Sequence, residues 1–174
     1  DGTFASTRDV THQYALPGVY AITLVVTGSG NACIDTKIFN VEVYPNPAAG
    51  FTTNIANQCF PGHQYIFTNT STVSAGALKY TWKLGDGTIQ SDTDVTYSYA
   101  KPGLYSVKLL VTAPGGCLDS SSANINVYPT PTAGFTAPPV CIDLPVLLKN
   151  STINNTASVI NYLFRSQTLH RIRH

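Results

Sequence analysis

The sequence predicts an all-β fold, two-sheet β-sandwiches in tandem with essentially no helix. Three observations carry this. Thr, Ser, Asn, Tyr, Val, Gly and Pro dominate the 174 residues while Glu occurs once, at Glu42; helix formers are scarce and strand and turn formers abundant. Apolar and polar residues alternate in short runs separated by turn signals every ~8–12 residues, the spacing of a sandwich. Finally, the chain repeats itself at a period of domain size. It is 43% hydrophobic and 11% charged, apolar enough to build a core rather than stay disordered. With Lys+Arg at 10 and Asp+Glu at 9, the formal charge is +1, too neutral for a nucleic-acid binder. No apolar run approaches the ~18 residues of a membrane-spanning helix. The absence of Met and of an N-terminal apolar leader predicts an internal piece of a longer protein.

Along the chain, strands are predicted at 20–27, 49–54, 64–70, 78–84, 94–99, 105–112 and 121–128. In 105–112, Tyr105, Val107, Leu109 and Val111 point one way and Ser106, Lys108 and Thr112 the other, with Leu110 breaking the pattern; period two means a half-buried strand. Pro61-Gly62, Gly85-Asp86-Gly87, Pro102-Gly103 and Pro114-Gly115-Gly116 supply the turns. Tyr80, Trp82 and Leu84 share a face of one strand. Trp82, the single Trp, could be a stacking platform for sugars, but the centre of a sandwich core is the favoured role. Gly85-Asp86-Gly87 reads as a tight turn needing positive φ, with the Asp capping backbone amides. Tyr105, just after Pro102-Gly103 at a strand start, reads as a tyrosine corner.

The repeat aligns residues 1–27 with 86–112 at an offset of 85: Asp1-Gly2-Thr3 with Asp86-Gly87-Thr88, Tyr14 with Tyr99, Pro17-Gly18 with Pro102-Gly103, Tyr20 with Tyr105. One residue is then lost. Cys33-Ile34-Asp35 aligns with Cys117-Leu118-Asp119, and 41–51 with 125–135. Cys59 matches Cys141, and 67–71 matches 148–152. The expected organisation is the C-terminal half of one unit at 1–45, a complete unit at 46–128, and the N-terminal part of a third at 129–174. The joints YPNP (44–47) and YPTP (128–131) are Pro-rich and semi-rigid, favouring an extended rod.

The segments YTWKLGDG (80–87) and TYSYAKPGLYSVKLLVT (96–112) resemble the signature of polycystic-kidney-disease (PKD) domains, Y-x-W-x-F-G-D-G followed by a P-G-x-Y-x-V-x-L strand. The residues carrying the resemblance are Tyr80, Trp82, Gly85, Asp86, Gly87, Tyr99, Pro102, Gly103 and Tyr105. Leu84 replaces the usual Phe, a tolerable apolar swap. The resemblance extends over residues 1 to about 160. It implies an Ig-like β-sandwich, usually extracellular, often in tandem, and without catalytic activity. Such arrays occur in bacterial surface adhesins of the Bacteroidetes type and as spacers in secreted chitinases, collagenases and other proteases.

No catalytic motif competes: G-x-S-x-G, H-E-x-x-H, P-loop and C-x-x-C patterns are all missing from the sequence. Of the four histidines, His12 aligns with Tyr97, and His170 and His174 fall in the closing decapeptide, leaving His63. No cofactor is expected. Asp86, Asp92 and Asp94 could assemble a Ca²⁺ site, yet their spacing lacks the regularity of an EF-hand loop and turn capping is favoured. Cys33, Cys59, Cys117 and Cys141 lack the short paired spacing of a zinc site and suit disulfides of an exported protein. Cys59 is placed in the first inter-strand loop and Cys117 near the loop before the last strand, at opposite ends of a sandwich. That argues against a bridge inside one unit, with domain-to-domain bridging the alternative; equal numbers of Cys per unit support either scheme, and both stay open. The sequons at Asn69, Asn150 and Asn154 read equally well as turn residues.

Residues 1–143 carry 6 basic and 9 acidic side chains, and 144–174 carry 4 basic and none acidic. Tyr162-Leu163-Phe164 aligns with Tyr80-Thr81-Trp82, but the expected Gly-Asp-Gly never arrives; a truncated or frame-shifted end is favoured over a basic interaction tail. The expected function is a non-catalytic structural and adhesive rod at the bacterial cell surface. Its partners are neighbouring units and a surface protein or polysaccharide, with no nucleic acid and no membrane span in this segment. The alternative is a spacer or substrate-gripping region of a secreted polysaccharide hydrolase or protease. That reading requires surface aromatics, for which Tyr65, Tyr97 and Tyr128 are the candidates, each favoured as partly packed.

Overall fold

The structure, a computed structural model, describes residues 2–29, 33–153, 161 and 163–165. The closing segment after 165, Tyr162 and Asn154 lie outside the described residues, as does Asp1. In chain order the strands are β1 (Gly18–Thr27), β2 (Ile34–Val43), β3 (Phe51–Thr53), β4 (Asn57–Phe60), β5 (Tyr65–Asn69) and β6 (Lys79–Lys83). β7 (Ile89–Gln90), β8 (Val95–Tyr97), β9 (Gly103–Thr112), β10 (Leu118–Pro129), β11 (Phe135–Thr136) and β12 (Lys149–Asn150) follow. Among the described residues the only helical element is a 3₁₀ turn, Pro114–Gly116.

Two sheets form the central sandwich. One has the order β4-β10-β9-β6-β7, the other β3-β5-β8. Their facing side chains make one core: Tyr65, Phe67, Trp82, Leu84, Val95, Tyr99, Val107, Leu109, Val111, Ile125 and Val127, all buried, with Phe51 and Phe60 packed on its margin. Trp82 lies at its centre, fully buried; Phe51 meets it edge-on at 5.1 Å between ring centroids and Phe67 lies tilted at 5.9 Å. Its indole Nε1–H donates to the Asp92 carbonyl at 3.0 Å, so the polar end of the ring is satisfied inside the apolar layer.

Two strands escape the alternation rule. β4 (Asn-Gln-Cys-Phe) pairs parallel to β10, with Cys59 opposite Tyr128, so Cys59 sits within an edge strand rather than in a loop. Four residues with two amides carry no period-two signal, and only the partner defines the strand. The two-residue β7 is held only by its pairing with β6.

Strand pairings on both sides of the sandwich match pairings within it. The β1–β2 hairpin runs from Gly18↔Val43 to Thr27↔Ile34, and the β9–β10 hairpin from Gly103↔Val127 to Thr112↔Leu118. These registers coincide under the sequence alignment. Tyr20 donates to the Leu16 carbonyl and stacks on Tyr14 at 3.9 Å; Tyr105 donates to the Lys101 carbonyl and stacks on Tyr99 at 3.8 Å. Downstream, β11–β12 reproduces β3–β5: Ser151 N–H donates to the Gly134 carbonyl as Thr70 N–H does to Gly50. Phe164 meets Phe135 edge-on at 5.7 Å, as Trp82 meets Phe51. On the hairpin, Ile22, Leu24 and Val26 are 43%, 62% and 55% exposed, while their aligned partners Val107, Leu109 and Val111 are fully buried. The burial comes from the facing sheet, not from the hairpin itself.

Candidate functional site

The residues singled out by sequence converge on one corner of the sandwich. Gly85 and Gly87 take φ of +89° and +97°, the left-handed region that favours glycine. Gly85 also lies against β9: a Cβ there would stand 2.9 Å from both the backbone N and O of Ser106. Between them, Asp86 accepts from Thr88 N–H at 2.9 Å and from the Tyr97 hydroxyl at 2.7 Å. Partial burial would raise the Asp86 carboxyl, but these hydrogen bonds outweigh it and hold it below the usual range. On Tyr97, the bond from Thr88 lowers the phenol, whereas Asp86 and burial raise it and win. Tyr99 donates to the Leu84 carbonyl at 2.7 Å, immediately before the turn. Burial, with Asp86 nearby, pushes its phenol far above the normal tyrosine range. Pro102-Gly103 delivers the chain to Tyr105, whose hydroxyl ties back to Lys101. Tyr80, the remaining signature residue, is half-buried at the core margin.

The hydrogen bonds of this corner fasten the Gly85–Gly87 turn to Tyr97 and Tyr99. Of the suggested Ca²⁺ set, the carboxylates of Asp86 and Asp94 are engaged with the protein, Asp86 as above and Asp94 accepting from Asn69 N–H at 2.8 Å; Asp92 accepts from Trp82 through its backbone carbonyl. No group of three or more metal-ligating side chains occurs among the described residues. His63 is buried against Phe60, Tyr65 and Tyr99; its Nε2 accepts from Tyr99 N–H at 2.8 Å, and its Nδ1 has no partner. Sequence reasoning passed over it because one histidine in a loop carries no pattern. A cleft of about 290 Å³ lies where the first hairpin meets the sandwich, between Tyr14, Leu16, Pro17, Tyr44, Asn46 and Ser74. It holds no acid–base pair.

Of the surface aromatics, Tyr65 is fully buried and donates to the Asn126 carbonyl at 2.8 Å; it faces the core because β5 presents Tyr65 and Phe67 inward. Tyr97 is half-buried and tied to Asp86, and only Tyr128, 38% exposed, faces outward. All four cysteines are free thiols. Cys59 stands opposite Tyr128 and Cys117 just before Leu118. These are eleven strand positions apart, about 36 Å at ~3.3 Å per residue, far beyond the ~4.4–6.8 Å that a disulfide spans. The two thiols mark opposite poles of the sandwich. At one pole Tyr44 lies so close to Gly115 that a Cβ there would fall 2.1 Å from its ring, and at the other the Thr130 hydroxyl donates to the Phe60 carbonyl. Asn69 and Asn150 each accept, through Oδ1, from the N–H two residues on, as turn residues do. No described helix is long and apolar enough to cross a membrane.

Human polycystin-1 is 29% identical over 127 residues, covering 70% of this chain and 3% of its own length, so the chain spans only a small fraction of that relative. The PKD1 domain of the Vibrio cholerae metalloprotease PrtV is 34% identical; the match covers 47% of this chain and 96% of that one, with a TM-score of 0.42. A structure from work on carbohydrate-binding modules of the β-sandwich superfamily is 30% identical over 53% of this chain and 38% of its own, with a TM-score of 0.47. The family model of the PKD domain matches residues 44–127, the span of the sandwich with its corner fastening, and this segment belongs to the PKD-domain family.

Proposed function

We propose that the chain is part of a non-catalytic, extracellular rod of PKD-type units, with boundaries near 45 and 128, that holds or spaces binding surfaces at a cell surface. The observation that carries this reading is the bond-for-bond recurrence of the sandwich's pairing registers on both sides of it. The joints add support. Pro45 and Pro47 fix the backbone, and Tyr44 seats against Gly115 of the following unit, which resists bending. The central apolar side chains are committed to one sealed core, and the signature carboxylates to backbone and tyrosine partners. Small-angle scattering on the 1–174 chain tests the rod: a compact globule of this length has a radius of gyration of about 16 Å, and an end-to-end array must exceed it clearly. A value near the compact limit would refute the reading. The spacer of a secreted hydrolase or protease differs in gripping substrate; retention on chitin, cellulose or collagen that is lost on Tyr128→Ala would favour it.

A further inference from the structure

The outward rows of the five-stranded sheet carry three lysines and no carboxylate amid Ser, Thr and Asn, with Leu104, Leu118 and Ile89 exposed toward the strand ends and the edge. Lys83 of β6 stands directly opposite Lys108 of β9, and Lys79 opposite Thr112; all three lysines are exposed. Lys108 in turn faces Ser122 of β10, with Leu110 opposite Ser120 and Ser106 opposite Asn124, and Asn126 opposite Asn57 of β4. Trp82, Val107, Leu109 and Val111 point the other way into the core, so these alternate positions form the outward rows. None of them is Asp or Glu. Of the nearby carboxylates, Asp86 is engaged by Thr88 and Tyr97, Asp94 by Asn69, and Asp119 by the N–H groups of Ala49 and Ser120, while Asp92 lies exposed between β7 and β8. Like charges directly opposite on neighbouring strands destabilise a sheet. A fold that keeps Lys83 against Lys108 with no acid beside them retains a cost that an external anion would relieve.

We propose that this face binds an acidic polysaccharide, a sugar chain bearing carboxylates, with Lys83, Lys108 and Lys79 meeting the charges and the Ser, Thr and Asn rows meeting the hydroxyls. The chemistry of the face selects that partner. It holds no Arg, the residue suited to forked phosphate contacts. The outward rows of β6 and β9 hold no aromatic ring; the exposed ring on this face is Tyr128 of β10, six positions along the strand from Ser122, which faces Lys108, so no stacking platform lies beside the lysines. Residues 44–127 contain four Lys and four Asp with no Arg or Glu, a net charge of zero, too weak a field for a densely charged nucleic acid. Local lysines amid hydroxyl and amide groups fit a polymer of lower charge density.

The inference rests on the adhesive reading and names its ligand class. Its test is gel retardation of the 1–174 chain in polygalacturonate, with the fully methyl-esterified polymer as a neutral twin. The chain should be retarded by polygalacturonate at ~50 mM NaCl and released by ~300 mM, where screening is strong. K83T/K108T should weaken retardation about fivefold, the scale of two exposed charge contacts, while Lys101→Thr, off this face, should leave it unchanged. The double variant should unfold, by Trp82 fluorescence, no earlier than the parent, because it removes a repulsion. Equal retardation of parent and double variant, equal retardation by the esterified polymer, or none at all would overturn the inference. Scattering decides the rod reading separately, so either can fail alone.

Discussion

Replacing Gly85 by Ala should unfold the central sandwich far more readily than the same change two residues later. Both glycines sit at positive φ, which costs an L-residue about 1–2 kcal/mol. They differ in surroundings. At Gly87 nothing lies within 4 Å of a new methyl group, whereas at Gly85 it would meet the Ser106 backbone N and O at 2.9 Å each. Those atoms are backbone of β9, a strand flanked in the sheet by β10 and β6, and cannot rotate away as a side chain could. Forcing β6 and β9 apart adds an overpacking cost of about 1–3 kcal/mol. Gly85→Ala should therefore lose about 2–5 kcal/mol and Gly87→Ala about 1–2 kcal/mol. For a domain of this size each kcal/mol moves Tm by ~4–8 °C, which places the first variant at least about 8 °C below the parent by that scale. The assay is thermal unfolding followed by the fluorescence of Trp82, the chain's sole indole, which reports this core and no other. Equal losses in the two variants would refute the argument that β9, and not backbone conformation alone, demands glycine at 85.

Trp82→Phe should cost less than Trp82→Ala, which empties the core centre at about 3–5 kcal/mol; denaturant titration followed by far-UV circular dichroism measures both, and comparable losses would argue against a packed indole. Asp86 and Asp119 have folded-state carboxyls held low by hydrogen bonds, Asp119 by Ala49 and Ser120 N–H groups. Their contribution is present above the unfolded value near 3.8 and lost as pH falls below it. D86N and D119N should flatten the acid limb of stability between pH ~5 and ~2, and a limb as steep as the parent's would count against those bonds. His63→Ala should strand the buried Tyr99 N–H and destabilise the sandwich by about 1–3 kcal/mol, with Gln recovering part of the loss; amide exchange at Tyr99 reads it directly. Mild oxidation of the 44–129 segment should give no internal disulfide, because Cys59 and Cys117 lie at opposite poles; mass spectrometry finding one would overturn the strand register.

Much of this protein is written locally. The alternation of Tyr105, Val107, Leu109 and Val111 set both the strand and its inward face, because period two is a property of a single extended segment. The Gly85-Asp86-Gly87 turn, the Tyr105 corner and the placement of Trp82 with Tyr80 and Leu84 were readable for the same reason. The recurring segments fixed equivalent registers hundreds of atoms apart. Tertiary structure alone decided whatever needed a partner distant in sequence. β4 exists as a strand because β10 lies beside it, Tyr65 is buried because the facing sheet closes over it, and Ile22 is bare where Val107 is covered. Gly115 matters through a tyrosine seventy-one positions earlier, and Lys83 opposes Lys108 only once β6 and β9 pair. A side chain's pattern tells which way it points; what it meets there depends on chain brought from elsewhere.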